Sequence, residues 1–302
     1  MYPPEWFRWD LRPREIKRPE WFTQWPSGAR VAVQLTIMHE WESTPREWSP
    51  AYGRRFPPDS VQKTDFMSLT YREYAFKAGI WRIMNILDEN KVKVTVLTNG
   101  VAAEVWPDSL RELKRQGHEI GSHAYDQRVH PVMHKSREEE REDLRKSIKA
   151  IQQAVGERPY GYMSPGHRPT VHTLELLAEE GFVWAAEFLD ADIPYVIDVK
   201  GKKLIILCWM RPGLQDTNIL GSGGFTRSPS EALTSLKDEF NAVYEESAVH
   251  PMRFNYCVHS YLSGTPGAAS VIRDFIRYAQ DRSGVWFATG MDQATFWLEH
   301  DK

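Results

Sequence analysis

The sequence predicts an α/β fold, a distorted (β/α)7–8 barrel, on three observations. From residue 31 onward, short apolar runs typical of strands alternate with amphipathic helices, the pattern of a largely parallel sheet covered by helices. Seven or eight such units fit a barrel better than an open doubly wound sheet, and no Gly-x-Gly-x-x-Gly follows the first strand to indicate a dinucleotide fold. Polar residues directly follow several strands, as they do at the mouth of a parallel barrel.

The chain divides into an N-terminal arm, residues 1–30, and a barrel domain, residues 31–302. The arm is rich in Trp, Pro and Arg and has no periodicity. The first strand, 31–37, is apolar at every second position, and further strand-like runs lie at 93–98, 119–122, 160–163, 183–187, 204–209, 254–258 and 285–288. Apolar residues at helical spacing, with capping signals, predict helices within 71–90, 136–155, 170–181 and 268–284.

Composition excludes several classes of partner and site. The 302 residues carry a net charge of −3 without a basic block, so we expect neither a nucleic acid nor a membrane as partner. The two cysteines are too few for a disulfide framework or a cysteine-rich zinc site. The first residues lack the apolar core of a signal peptide, and no run approaches membrane-spanning length, so a cytoplasmic location is predicted.

Polar candidates follow five of the predicted strands. The carboxyl ends of parallel strands meet at one mouth, so these side chains are expected to converge. Of the ten histidines, four (His39, His123, His130 and His259) come directly after strands. The full set of candidates is His39, Glu40 and Glu42; His123, Asp126 and His130; Ser164, Pro165, Gly166 and His167; Arg211, Gln215, Asp216 and Asn218; and His259, Ser260 and Tyr261.

Several motifs resemble a known family. The segments "GHEIGSHAYD", "GYMSPGHRPTVHTLELLAEEGF", "DADIPY" and "CVHSYLSGTPGAASVIRDFIRYAQ" occur in the order seen in polysaccharide deacetylase-like proteins. The resemblance covers roughly residues 28–298. It is greatest to the intracellular branch that contains allantoinase-type and cyclic-imide hydrolases and a peptidoglycan deacetylase relative. The resemblance implies a distorted barrel that hydrolyses a C–N bond in an amide or imide.

The resemblance also implies roles for individual residues. In metal-dependent members, an Asp-x-Asp after the first strand and a His-x-x-x-His after the third form the site, and a late His protonates the leaving group. Glu40 matches the second Asp, His123 the first His and His259 the late His. The first Asp falls on Met38 and the second His on Gln127, neither of which can take its role.

A metal remains open at this stage. Glu40, His123 and His130 are the predicted ligands of Zn²⁺ or another divalent ion, which would polarise the carbonyl and lower the pKa of bound water towards about 7. The alternative uses no metal, as the resemblance to allantoinase-type members implies. Glu40 or Glu42 would then activate water while His123 and the Ser164–Gly166 backbone hold the carbonyl oxygen. In both versions His259 is the acid for the leaving nitrogen.

The resulting hypothesis is a ring-opening amidohydrolase of small cyclic amides, imides or ureides, with Glu40, His123 and His259 as catalytic residues. Residues expected to contact the substrate are His39, Trp41, Ser164, Pro165, Gly166, Trp209 and Tyr261. Two alternatives stay open: an N-deacetylase of an acylated sugar or amino compound, and a degenerate barrel that only binds a ligand. The aromatic arm and the family resemblance predict a homo-oligomer, either a dimer or a tetramer.

Overall fold

Nine strands form one curved sheet that shapes a half-barrel. The computed structural model of the chain describes residues 18–43, 59–61, 64–209, 214–221 and 227–301. The strands are β1 (Val31–His39), β2 (Thr95–Thr98), β3 (Glu119–Ser122), β4 (Gly161–Tyr162), β5 (Trp184–Ala185), β6 (Tyr195–Val199), β7 (Lys202–Ile206), β8 (Met252–His259) and β9 (Val285–Phe287). Their order is β6-β7-β5-β4-β3-β2-β1-β8, and β9 also pairs with β1. The predicted fold class is confirmed.

Helices cover the outer face of this sheet. They are α1 (Phe66–Tyr74), α2 (Ile80–Glu89), α3 (Gly100–Val105), α4 (Pro107–Arg115), α5 (Arg137–Val155), α6 (Thr173–Glu179), α7 (Pro229–Glu246), α8 (Ser260–Ser263), α9 (Pro266–Gln280) and α10 (Gly290–His300). A π-helical turn, Ala75–Gly79, joins α1 to α2. Among the described helices, none combines the length and apolar character needed to span a bilayer.

The two faces of β1 differ sharply in chemistry. Val31, Val33, Leu35 and Ile37 pack into the large core with residues of α2 and α9. The alternate positions face the concave side, where Gln34 accepts from Arg253 at 2.7 Å and Thr36 donates to Asn255 at 3.0 Å. Because side chains alternate along a strand, Met38 shares the concave face and His39 does not. The period of two therefore decides which residues at the end of β1 reach the site.

The sequence did not predict β6. It forms an antiparallel hairpin with β7, whereas all other pairings in the sheet are parallel. Lys200 and Gly201 form the turn, both with positive φ, which matches the twist of a two-residue hairpin. The predicted strand 204–209 is shifted accordingly to Lys202–Ile206.

The described part of the arm packs on its own barrel. Phe22 and Trp25 are buried, and both rings contact Trp297 of α10. Trp25 Nε1 also donates a hydrogen bond to the carbonyl of Met252 at 2.8 Å. These aromatic residues are therefore enclosed within the chain. Residues 1–17 of the predicted arm lie outside the described residues.

Candidate active site

A cavity of about 360 Å³ lies at the carboxyl ends of the parallel strands. Its wall is made by residues of β1 and β8, by the loops that follow β1, β3, β4 and β7, and by side chains of α1 and α8. The chemically important members are Glu40, Arg72, His123, Gln127, His259 and Tyr261. This is the edge of the sheet at which the polar residues were expected to converge, and the structure brings Glu40, His123 and His259 together there.

Glu40 lies at the centre of this group. Its Oε1 is 3.4 Å from Nε2 of His123 and 3.7 Å from Nε2 of His259. Its other oxygen, Oε2, is 3.4 Å from Nη2 of Arg72. Burial alone would raise the pKa of Glu40, but the charge of His259, the neighbouring His123 imidazole and the charge of Arg72 outweigh it and hold the pKa well below its usual range. Glu40 is therefore a carboxylate that keeps its negative charge.

Two neighbouring loops fix the position of His123. Its Nδ1 donates to the carbonyl of Met163 at 2.7 Å, because a carbonyl oxygen can only accept. Its backbone carbonyl accepts from the side chain of Asn99, and the Oδ1 of Asn99 accepts from the backbone of Trp41 at 3.2 Å. With Nδ1 protonated, the Nε2 of a neutral His123 carries a lone pair that faces Glu40.

His259 is held by a buried carboxylate. Oδ1 of Asp216 accepts from Nδ1 of His259 at 2.7 Å, and Oδ2 accepts from the His259 backbone at 2.6 Å. Ser263 Oγ donates to Oδ2 at 2.6 Å as well. Burial by itself would lower the pKa of His259, but Asp216 and Glu40 outweigh it and raise the pKa above its ordinary value. His259 is therefore favoured as an imidazolium whose Nε2 proton faces the cavity.

Arg72 completes the charge arrangement, and sequence reasoning missed it. The guanidinium lies 5.0 Å from the ring centre of Tyr261, beside its contact with Glu40. Gly79, at the end of the π-helical turn, lets this helix approach α8: an added Cβ would lie 2.1 Å from the carbonyl oxygen of Ser260. Arg72 lies on helix α1 and does not follow a strand. A search of the sequence for polar residues at strand ends therefore could not identify it as a site residue.

Three of the seven residues predicted to contact the substrate line the cavity: Gly166, Trp209 and Tyr261. The other four do not. His39 faces the helices, as alternation along β1 dictates, and its ring nitrogens bond to Thr98 at 2.8 Å and Ser109 at 2.9 Å. Burial lowers the pKa of His39 to about 3, which keeps it neutral. Its predicted substrate contact is therefore corrected to a structural role.

Trp41, Ser164 and Pro165 are also placed behind the cavity wall. The ring of Trp41 packs edge-on against Phe76 and Trp106. The backbone and the hydroxyl of Ser164 both donate to Glu187, each at 2.6 Å, so this backbone N–H is not available to hold a carbonyl oxygen. Pro165 is buried in the same loop. Glu187 thus positions the loop that carries Gly166, a role that sequence reasoning did not find.

Of the three predicted metal ligands, Glu40 and His123 lie together and His130 does not join them. Among the described residues there is no group of three His, Cys, Asp or Glu side chains suited to hold an ion. His130 does not line the cavity, and its Nδ1 is 3.2 Å from the guanidinium of Arg168. A second guanidinium, that of Arg72, is already 3.4 Å from Glu40, where an added cation would be repelled. The residues present therefore do not fit the predicted divalent ion.

The fold and the site define an α/β half-barrel with acid and base groups at the carboxyl ends of its strands. Residues 60–184 match the family model for polysaccharide deacetylase. That segment includes Arg72, His123 and Gln127, whereas Glu40 and His259 flank it on either side.

Similar proteins extend the likeness over nearly the whole chain. The structure of PuuE allantoinase superposes with a TM-score of 0.84 at 27% identity and covers 99% of this chain and 98% of its own. A probable polysaccharide deacetylase from Pseudomonas aeruginosa PAO1 gives a TM-score of 0.82 at 28% identity, covering 96% and 98% of the two chains. A peptidoglycan deacetylase from Helicobacter pylori is 23% identical over 284 residues, covering 84% of this chain and 92% of the relative.

Proposed function

We propose that the chain opens the ring of small cyclic amides, imides or ureides by hydrolysis. The broader class is that of its relatives, whose names are those of deacetylases and an allantoinase: the chain is a hydrolase of carbon–nitrogen bonds other than peptide bonds. The observation that carries the finer proposal is a cavity of about 360 Å³ in which Glu40 lies between two imidazoles and a guanidinium. Its volume suits a small ring.

The acid in this reaction is His259. When the C–N bond breaks, the leaving nitrogen takes up a proton, and the imidazolium held by Asp216 supplies it from Nε2. Asp216 fixes the tautomer because it accepts the Nδ1 proton, so the mobile proton is on the nitrogen that faces Glu40. Such general acid catalysis contributes about 10²–10⁴-fold in rate.

The base is assigned to His123, with Glu40 as its partner. The low pKa of Glu40 makes this carboxylate a weak proton acceptor, but it remains a strong hydrogen-bond acceptor for water. Its 3.4 Å separation from Nε2 of His123 lets one water bond to both groups. As the water oxygen attacks the carbonyl carbon, its proton passes to Nε2 of His123, and Glu40 stabilises the imidazolium that forms. Glu42, the other base considered from sequence, does not line the cavity.

Arg72 stabilises the charge that develops on the substrate. Its buried Nε donates no hydrogen bond to another described residue, while its Nη2 contacts Glu40. A guanidinium in an enclosed site stabilises an oxyanion more strongly than it would in water. Arg72 therefore keeps Glu40 ionised and presents positive charge to the carbonyl oxygen. Water addition and nitrogen protonation together give a carboxylic acid and a free amine, amide or urea nitrogen.

A product assay tests this proposal. Purified protein is incubated with allantoin, hydantoin, succinimide and N-acetylglucosamine, and the products are followed by proton NMR. We expect ring opening of at least one cyclic compound, little release of acetate, and a loss of about 10²-fold or more in the His259→Gln variant. Because the site does not fit the predicted ion, treatment with a chelator should leave the rate unchanged. Acetate release alone, or no turnover at all, would contradict the proposal.

The cytoplasmic location and the homo-oligomer, a dimer or a tetramer, stay predictions. Light scattering coupled to size-exclusion chromatography measures the second directly. A monomeric mass at working concentration would contradict it.

A further inference from the structure

Gln127 presents an unused carboxamide to the cavity. The residue lines the same cavity as Glu40 and His123, and its buried Oε1 has no hydrogen-bond partner among the described residues. No hydrogen bond from its side-chain nitrogen to another described residue is present. A buried polar atom without a hydrogen-bond partner is destabilising, so it marks a place where a ligand can complete the bonding.

The backbone around Gln127 is firmly positioned. Its N–H donates a hydrogen bond to the carbonyl of Trp41 at 3.2 Å. Trp41 directly follows Glu40 in the sequence. The neighbouring Asp126 accepts from the backbone of Ser43 at 3.1 Å and from the backbone of Arg128 at 2.9 Å. The loops after β1 and β3 are therefore joined at this point. The carboxamide projects from a fixed base, which is what a binding group needs.

A carboxamide is complementary to one edge of a cyclic amide. In a small ring the amide bond is forced to be cis, so its C=O and N–H point to the same side. The C=O and N–H of a glutamine carboxamide can pair with that edge through two parallel hydrogen bonds. In an open-chain amide, such as an N-acetyl group, the bond is trans, and the two groups point in opposite directions. Only the ring can make both bonds.

We propose that Gln127 is a specificity-determining residue that binds the cis-amide edge of a cyclic substrate through two hydrogen bonds. This inference rests on the proposed function and names the group by which the site selects rings over open-chain amides. In an imide, one carbonyl and the N–H pair with Gln127, which leaves the second carbonyl free for attack by water. Gln127 binds the substrate and takes no part in proton transfer.

Binding of matched ligands tests the proposal separately from catalysis. In N-methylsuccinimide a methyl group replaces the succinimide N–H that Gln127 would accept. Their affinities are measured by ligand-observed NMR titration in the His259→Gln background, where turnover is slow. We expect succinimide to bind about 10- to 100-fold more tightly in that protein. In His259→Gln/Gln127→Leu we expect the two affinities to become nearly equal, because leucine fills the space without bonding.

Gln116 provides the matched control. It is also a half-buried glutamine whose Oε1 has no partner, but it caps α4 and does not line the cavity. Gln116→Leu should keep the full preference for succinimide. In active protein, Gln127→Leu should raise KM for imides that have an N–H, with a smaller effect on kcat.

The outcomes separate the two proposals. An equal preference for succinimide with and without Gln127→Leu would overturn the role of Gln127, even if the rings are hydrolysed. Selective binding of succinimide without ring opening by the wild type would support Gln127 and contradict the proposed function. Failure to bind either imide, or tighter binding of N-acetylglucosamine than of succinimide, would overturn the inference as well.

Discussion

Two carboxylates at opposite ends of the sheet show how the barrel divides its work. Glu40 follows β1 at the carboxyl end, among Arg72, His123 and His259. Glu119 begins β3 at the amino end, where the described residues that donate to it are all neutral: Thr95 Oγ1 at 2.8 Å, Trp184 Nε1 at 2.8 Å and the Met291 backbone at 3.0 Å. Glu40 is buried and Glu119 is half-buried, and their neighbours differ in charge.

The pKa values respond in opposite directions. The charged neighbours lower the pKa of Glu40, whereas burial raises the pKa of Glu119 because neutral donors compensate it only in part. Glu119 joins β2, β5 and α10, so its hydrogen bonds close the base of the half-barrel. The carboxyl end of the sheet therefore presents charged groups to a substrate, whereas the hydrogen bonds at the amino end stabilise the packing of the strands, as in other parallel barrels.

The largest expected effect on catalysis comes from removing the charge at the carboxyl end. Glu40→Gln should lower kcat/KM by about 10³-fold, because it removes the partner of both imidazoles in the reaction. Glu119→Gln should change kcat/KM by less than about threefold but reduce the free energy of unfolding by about 1–2 kcal/mol, since an NH₂ group cannot accept from the donors around it. Steady-state kinetics and urea unfolding of both variants measure this. Similar kinetic losses in the two would break the comparison.

A smaller effect on kcat/KM is expected from Asp216, whose charge acts on the reaction through His259. Asp216 raises the pKa of His259, and His259 must be protonated to act as the acid. The activity of the wild type should therefore fall as pH rises through a pKa above 6.5. In Asp216→Asn that fall should move to lower pH, with kcat/KM at pH 8 reduced about 10- to 100-fold.

The pH–rate profiles of the two proteins measure this shift. Asp198→Asn, the same change in the exposed β6–β7 turn, should leave the profile unmoved. Coincident profiles for the wild type and Asp216→Asn would remove Asp216 from the mechanism.

Much of this site could be predicted, because strand ends are readable from sequence. Glu40, His123 and His259 each follow a strand, and parallel strands bring such residues to one edge. The sequence also contained the information that excludes His39 from the cavity, because side chains alternate along a strand and His39 therefore faces away from the side on which Met38 lies. The β6–β7 hairpin had its own signal in two apolar runs around Lys200 and Gly201.

Other features depend on pairings that no local pattern encodes. Arg72 meets Glu40 across 32 residues of sequence, and Asp216 meets His259 across 43. Asp216 was among the strand-end residues, but its role depends on the ring to which it bonds. The metal ligands were predicted from the family resemblance, while the guanidiniums that oppose a cation lie on other elements. Contacts between distant elements determine these roles, and they require the folded chain.

Glu187 offers the smallest effect on turnover and separates the influence of neighbours from that of position. It lies at the carboxyl end, as Glu40 does, but it is buried, accepts two hydrogen bonds from Ser164 and has no cation beside it among the described residues. Burial raises its pKa from 4.5 to about 7. The folded chain therefore binds a proton here more readily than the unfolded chain, so this contribution to stability is complete below pH 4.5 and is lost as pH rises to about 7.

Glu187→Gln should remove that dependence. Relative to the variant, the wild type should lose up to about 3 kcal/mol of unfolding free energy between pH 4.5 and 7, while kcat/KM changes by about twofold or less. Urea unfolding of both proteins at closely spaced pH values gives the difference directly, because all other titrating groups cancel. A constant difference would mean that Glu187 is ionised throughout. The position of a carboxyl group at the cavity mouth would then determine its pKa more than its neighbours do, which is the opposite of the conclusion drawn from Glu40 and Glu119.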